Sequence, residues 1–127
     1  KLYYTGFSRA RVQALHDEHL RRGEESPYAQ WFERELPEHS ERFTTFVDVG
    51  EWLHRRRAAL LAHRTQVDPE GFWMRLPDDA VREVFPWEEY LLARSLVDTG
   101  VADGDTEDDL FAGVRAGAPA SRADVAR

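Results

Sequence analysis

The run Phe43-Thr44-Thr45-Phe46-Val47-Asp48-Val49 leads directly into the longest helix-forming stretch of the chain, Gly50 to Gln66. Phe43, Thr45, Val47 and Val49 alternate with Thr44, Phe46 and Asp48, and the β-branched and aromatic content predicts a strand. In the stretch that follows, steps of about 100° per residue bring Leu53, Arg56, Leu60, His63 and Val67 to one side, with Trp52 and Ala59 beside them. A strand therefore feeds an amphipathic helix here.

The flanking segments extend this plan. Leu2 to Phe7 reads as a buried strand, and Ser8 caps a helix from Arg9 to Arg22 that Gly23 stops. Ser26-Pro27 opens a short helix whose apolar face is Tyr28, Trp31 and Phe32, with Pro37 ending it. Asp68-Pro69-Glu70-Gly71 is a turn, and Pro77 to Val84 a short helix. Trp87 to Leu96 could be a strand or a final helix; the period-two recurrence of Tyr90, Leu92, Arg94 and Leu96 favours the strand. Residues 1–97 thus hold the expected strands and helices. Residues 98–127 read as a mobile tail: Asp98 to Asp109 holds six acids and no base, and the rest is rich in Ala, Arg and Gly. Within it, Asp109-Leu110-Phe111-Ala112-Gly113 is an apolar segment able to dock on the body. The abrupt start on Lys1-Leu2-Tyr3-Tyr4 suggests further sequence upstream. Without it, the first two strands are expected to expose edges, making the chain dependent on a partner chain.

Composition narrows the function. With 42% hydrophobic and 12% aromatic residues, 127 residues can build one modest core. Neither a membrane-spanning run nor a secretory leader is visible, so a soluble cytoplasmic protein without membrane partners is expected. Cys is absent, which excludes disulfides, thiolate metal sites and cysteine nucleophiles. Twenty-four acids against 17 bases give a net charge of -7, which opposes nucleic-acid binding.

Few constellations carry chemistry. Arg56 and His63 lie on the side of the long helix expected to be buried. There Arg56 either pairs with a carboxylate or binds a ligand, and His63 either caps a carbonyl or does the same. His16-Asp17-Glu18-His19 evokes zinc, but metalloprotease helices carry His at i and i+4 with Glu after the first His. With three-residue spacing, an intervening Asp, and Arg11, Arg21 and Arg22 nearby, a solvated charged face is expected. His39 and His54 have no partner at useful spacing. Trp31, Phe32, Trp52, Trp73, Trp87 and Tyr90 read as core or as pocket lining. Arg55-Arg56-Arg57 reads as a helix surface salt-bridged with Glu51. No phosphate loop, nucleophile elbow or complete active site is present.

The pattern Arg56-x-x-Ala59-x-x-x-His63-x-Thr65-Gln66 resembles the C-terminal helix motif of the zinc-dependent deacetylases of the PIG-L/LmbE type. Further matches are Lys1-Leu2-Tyr3-Tyr4, Thr44-Thr45, Ala62-His63-x-Thr65-Gln66-Val67-Asp68-Pro69, Pro86-x-Glu88-Glu89-Tyr90-x-Leu92-Ala93-Arg94-Ser95 and Asp109 to Gly113. Together they resemble the C-terminal part of the thiol-conjugate amidases of that family.

The resemblance implies a Rossmann-like α/β enzyme in which one Zn²⁺ serves hydrolysis of an amide on a glucosamine nitrogen, with a small thiol-sugar molecule as substrate. It places the metal ligands and base in His-Pro-Asp-Asp and His-Pro-Asp-His motifs. This sequence has no His-Pro pair, so no metal ligand and no catalytic base falls on a residue of this chain. The expected partner is the N-terminal part of the same enzyme, which would hold the Zn²⁺. Arg56, His63 and Gln66 are the candidates for contacting or supporting substrate, and Tyr28 and Trp31 for an aromatic lid. The alternatives are a deacetylase of the glucosaminyl-inositol precursor of that thiol, or a non-catalytic interaction module retaining half of the fold.

Overall fold

The computed structural model describes residues 1–32, 43–71, 74–102 and 104–115. The expected helix end at Pro37, together with His39, Trp73 and residues 116–127, lies outside them. Helices and strands are mixed in the order β1 (Leu2–Thr5), α1 (Arg9–Arg21), α2 (Ala29–Phe32), β2 (Thr45–Asp48), α3 (Leu53–Ala62), α4 (Asp78–Val84) and β3 (Trp87–Arg94). No helix among the described residues is long and apolar enough to cross a membrane.

The last strand in sequence is central in space. The sheet order is β1-β3-β2, with both neighbours antiparallel to β3. Tyr90 therefore faces Thr5 on one side and Thr45 on the other. Of the two expectations for the segment from Trp87, strand or final helix, the strand is the one formed, over Trp87–Arg94.

The two outer strands differ. β1 stops at Thr5 and is not the buried strand expected: with β3 its one neighbour among the described residues, it leaves Leu2 and Tyr4 50% and 58% exposed. The outer edge of β2 is partly closed by the C-terminal segment. Phe46 N–H donates to Glu107 O, Glu107 N–H donates to Thr44 O, both at 2.8 Å, and Thr45 and Glu107 form a parallel bridge.

Helix α1 has a well-defined start and stop. The Ser8 hydroxyl accepts the Arg11 N–H at 3.0 Å, satisfying one of the orphan donors of the first turn. At the other end Gly23 has φ +74°, a left-handed conformation that a side chain would disfavour. Gly23 N–H donates to Leu20 O and Glu24 N–H to His19 O, the Schellman pattern. The buried face is Arg11, Val12, Leu15, Glu18 and His19, a helical stripe that is apolar at its centre and charged along its margins.

Helix α3 is shorter than its periodicity suggests. It begins as a 3-10 turn over Gly50–Trp52 and ends at Ala62, so His63 is its cap. Leu53 is the buried residue of this helix; Arg56 and Leu60 are half-buried, and His63 and Gln66 are exposed. The expected burial of His63 therefore fails. Its backbone leaves the helix (φ -83°, ψ 58°), and Nδ1 turns back to within 2.9 Å of Ala59 O at the exposed helix end.

Val12, Leu15, Tyr28, Leu53, Leu76 and Val81 form the core, with Phe7, Trp31, Phe32, Val49 and Val84 packed around it. The core thus joins α1, α3 and α4 and the segments entering α2 and α4. Trp52 and Trp87 remain partly exposed, at 54% and 38%, so neither is a central core aromatic.

Candidate functional site

Where β1 turns into α1, the chain meets α3, α4 and the start of β3 around a cleft of about 400 Å³. Phe7, Leu15, Leu60, Leu76, Val81 and Phe85 give it apolar walls, while Arg11, His19, Arg56, Glu88 and Glu89 supply polar groups. Tyr28 and Tyr90 also line it. A mainly apolar hollow with a few convergent polar groups is the usual form of a small-molecule site.

Two of the five sequence candidates line the cleft. Arg56, on α3, donates from Nη1 to Glu88 Oε1 at 2.8 Å, and Arg11, on α1, donates from Nη1 to Glu88 Oε2 at 3.2 Å. The pairing reading of Arg56 is the one the structure displays, with the carboxylate coming from β3. Burial pushes the Glu88 carboxyl up, but the Arg11 and Arg56 guanidiniums outweigh it, and the net effect holds Glu88 below the usual glutamate range. Glu88 is therefore an ionised anchor that fixes two cations from two helices.

The second candidate is Tyr28. It is buried, and burial raises its hydroxyl above the ordinary tyrosine value despite the nearby arginines. Burial likewise raises Tyr90, with Glu88 adding to the effect. Both hydroxyls stay protonated at neutral pH. Trp31 is not among the lining residues; it packs edge-on against Phe7 and Tyr28, with ring centroids 5.9 and 6.4 Å away, and so backs the aromatic wall. His63 and Gln66 do not line the cleft either, because both lie past the end of α3.

The His16 to His19 segment is not the solvated face expected. Glu18 and His19 are 2% and 1% exposed, and Asp17 alone of the four is exposed. The Schellman turn carries Glu24 back over the helix end, where its Oε2 lies 2.8 Å from His19 Nδ1. Arg21 covers Glu18 with two hydrogen bonds of 2.7 and 2.8 Å, and these hold the Glu18 carboxyl below its ordinary range. His16 Nδ1 is 2.8 Å from Ser26 Oγ. Each group is engaged structurally, and no set of three or more His, Asp or Glu residues able to hold a metal occurs among the described residues. The residues described here do not fit a Zn²⁺ site.

The basic run of α3 also makes different partners from those its spacing suggests. Arg56 goes to β3, Arg57 to Asp78 at 2.9 Å, and Arg55 stacks over Trp52 at 5.3 Å, in place of surface pairing with Glu51.

Sequence reasoning overlooked Arg11, Glu88 and Glu89. The available signal was the pair of adjacent carboxylates in a segment otherwise reading as a half-buried strand, since at least one must face inward. Glu89 does: it is 2% exposed and is the buried residue of β3.

No family model and no solved structure matches the chain. Among curated proteins it is 48% identical over 118 residues to the mycothiol S-conjugate amidase of Streptomyces coelicolor, covering 91% of this chain and 39% of that protein. It is 43% identical over 77 residues to the 1D-myo-inositol 2-acetamido-2-deoxy-alpha-D-glucopyranoside deacetylase of Nocardia farcinica, covering 59% of this chain and 26% of that protein. With deacetylase 1 of the same substrate name from Frankia alni the identity is 31% over 118 residues, covering 90% and 40% of the two chains. The chain spans less than half the length of these relatives. Over most of its own length it resembles the C-terminal part of mycothiol S-conjugate amidase.

Proposed function

We propose that this chain builds one wall of the substrate site of an amide hydrolase of the mycothiol pathway, acting on a glucosamine nitrogen and in particular on mycothiol S-conjugates. The observation that carries this reading is the 48% identity to mycothiol S-conjugate amidase across 118 residues. On this reading the three-stranded sheet belongs to a larger Rossmann-like fold in a cytoplasmic enzyme, completed by an N-terminal part that binds Zn²⁺. That metal would polarise the amide carbonyl. Nothing below is assigned to it.

The residues of this chain bind and orient. Glu88 uses one N–H each of Arg11 and Arg56, and a guanidinium carries five, so further donors remain to meet a polar substrate. Holding the two cations by a shared carboxylate fixes them before substrate arrives, which lowers the ordering cost of binding. Phe7, Tyr28, Phe85 and Tyr90 offer aromatic surface to the apolar or sugar portions of a conjugate, and Trp31 supports that surface as part of a lid. On this reading His63 and Gln66, exposed beyond α3, would meet the rest of the enzyme or a substrate entering from it.

A second reading, deacetylation of the acetamido-glucopyranosyl inositol, is favoured by the 43% and 31% identities to deacetylases of that substrate. Steady-state assay of the full-length enzyme on both compounds separates the two. A higher kcat/KM on the S-conjugate supports the amidase; the reverse order supports the deacetylase. Turnover of neither by a protein shown to contain about one zinc, as expected for a single catalytic site, would overturn both.

A further inference from the structure

Glu89 is a buried acid with an unfinished set of hydrogen bonds. Its side chain is 2% exposed, and Oε2 accepts the Ser8 backbone N–H at 3.0 Å. Oε1 is buried and has no donor among the described residues. A buried carboxylate oxygen without a donor is costly, and native structures almost always give such a group a hydrogen-bond partner. Among the described residues Glu89 has no ion pair either: Arg11 and Arg56 are both bound to its neighbour Glu88. The cleft therefore holds an Arg–Glu–Arg cluster with one positive charge in excess, beside the Glu89 carboxyl whose Oε1 has no hydrogen-bond donor among the described residues.

The surroundings say what kind of donor fits. Phe7, Tyr28, Phe85 and Tyr90 line the same hollow as Glu89. Aromatic faces beside a fixed carboxylate and arginine N–H groups match a ring bearing several hydroxyls or an amine: its C–H face packs on the aromatics and its O–H or N–H groups donate to the carboxylate. An anion would meet Glu89 unfavourably, and a purely apolar group would leave Oε1 without a partner.

We propose that this cleft is a polyol or amino-polyol subsite in which Glu89 Oε1 accepts a hydrogen bond from a ring hydroxyl or amine. The inference rests on the reading of the cleft as a substrate site and deepens it: the hydroxylated ring of the substrate seats here, against this chain. Ser8, through its backbone N–H, and the Arg11–Glu88–Arg56 cluster act as positioning groups for the carboxylate and the wall.

The test uses the full-length enzyme with myo-inositol and D-glucosamine as probes and cyclohexanol as an apolar control. Binding is read from the Ser8 amide resonance, which reports on Glu89 directly. Both or either of the hydroxylated probes should shift that resonance saturably, and cyclohexanol should not. Glu89→Gln, which keeps the shape but replaces a charged acceptor with a neutral one, should weaken probe binding and raise KM for the amide substrate roughly tenfold, with kcat changed far less. Glu89→Asp, which retains the charge at a shorter reach, should recover part of the loss. A Ser8 resonance indifferent to all three probes, or a Glu89→Gln enzyme with unchanged KM and probe affinity, would overturn the subsite. A saturable Ser8 response in a protein that hydrolyses neither amide would leave the subsite standing while removing the hydrolase reading.

Discussion

Arg56 reaches from α3 to donate to Glu88 Oε1 on β3 at 2.8 Å, while Arg11 holds the other carboxylate oxygen from α1 at 3.2 Å. One strand residue thus sets the separation of two helices across the cleft. With side chains 35% and 27% exposed, the Arg56–Glu88 pair is partly screened by water, so its net worth lies toward the lower end for charged hydrogen bonds. Arg56→Ala is expected to cost about 1 kcal/mol of stability and Arg56→Lys less, since lysine keeps the charge without the planar fork. Urea midpoints of the three proteins check this; an unchanged midpoint for Arg56→Ala would show that the pair contributes nothing net.

The same cluster makes stability sensitive to acid. Glu88 is held below its ordinary value of 4.5 in the folded protein, so in mild acid the unfolded chain binds the proton first. Stability contributed by the cluster is complete above the unfolded value and is lost as pH falls through the lower folded value. Glu88→Gln should therefore lower stability at neutral pH and make the acid limb below about pH 4.5 shallower. Parallel limbs for the variant and the parent protein would exclude Glu88 as a contributor; the separately depressed Glu18, covered by Arg21, leaves a residual slope in both.

Elements whose signals are local were legible in the sequence. Ser8 and Gly23 bracket α1 through cap and turn chemistry within three residues, and Trp87–Arg94 is the strand that its residue pattern favours. Features fixed by distant contacts were not. The shortening of α3 at His63, the burial of Glu18 and His19, and the antiparallel order β1-β3-β2 depend on where other segments land. In the site, Arg56 and Tyr28 were readable as a charge and an aromatic on inward faces. Glu89 was missed because the recurrence of Tyr90 and Leu92 drew the inward face, although one of two adjacent carboxylates on a strand has to turn inward.

Arg57 ties α3 to the segment entering α4. Its guanidinium donates to Asp78 Oδ1 at 2.9 Å, to Leu76 O at 2.6 Å and to Met74 O at 3.2 Å. Leu76 and Met74 are buried, so removing the fork strands carbonyls that water reaches poorly. Arg57→Ala should cost about 2 kcal/mol, and Arg57→Lys most of that, because an ammonium cannot span three acceptors. Chemical denaturation gives the magnitude. Equal stability of the lysine variant and the parent protein would show that charge alone, and not the fork, secures the segment.

Glu107 joins the C-terminal segment to both outer strands of the sheet. Its carboxylate pairs with Lys1, accepts the Tyr3 hydroxyl at 2.6 Å and accepts the Thr45 hydroxyl at 3.1 Å, while its backbone extends the β2 edge. The residue is 4% exposed, and Thr45 is fully buried. Glu107→Ala would leave a buried ammonium and two hydroxyls without their acceptor, at a cost of about 3 kcal/mol. Tyr3→Phe removes one donor and should cost about 1 kcal/mol. Burial, then the bond to Glu107, pushes the Tyr3 hydroxyl above its ordinary value of 10.0. Its contribution is complete below that pH and declines as pH rises toward the higher folded value, so the parent protein should lose stability in alkali more steeply than Tyr3→Phe. Hydrogen exchange separates local from global effects: in Glu107→Ala the Phe46 and Glu107 amides should lose protection before those of β3. Retained protection at both amides would mean that the backbone bridge holds the edge without the side chain.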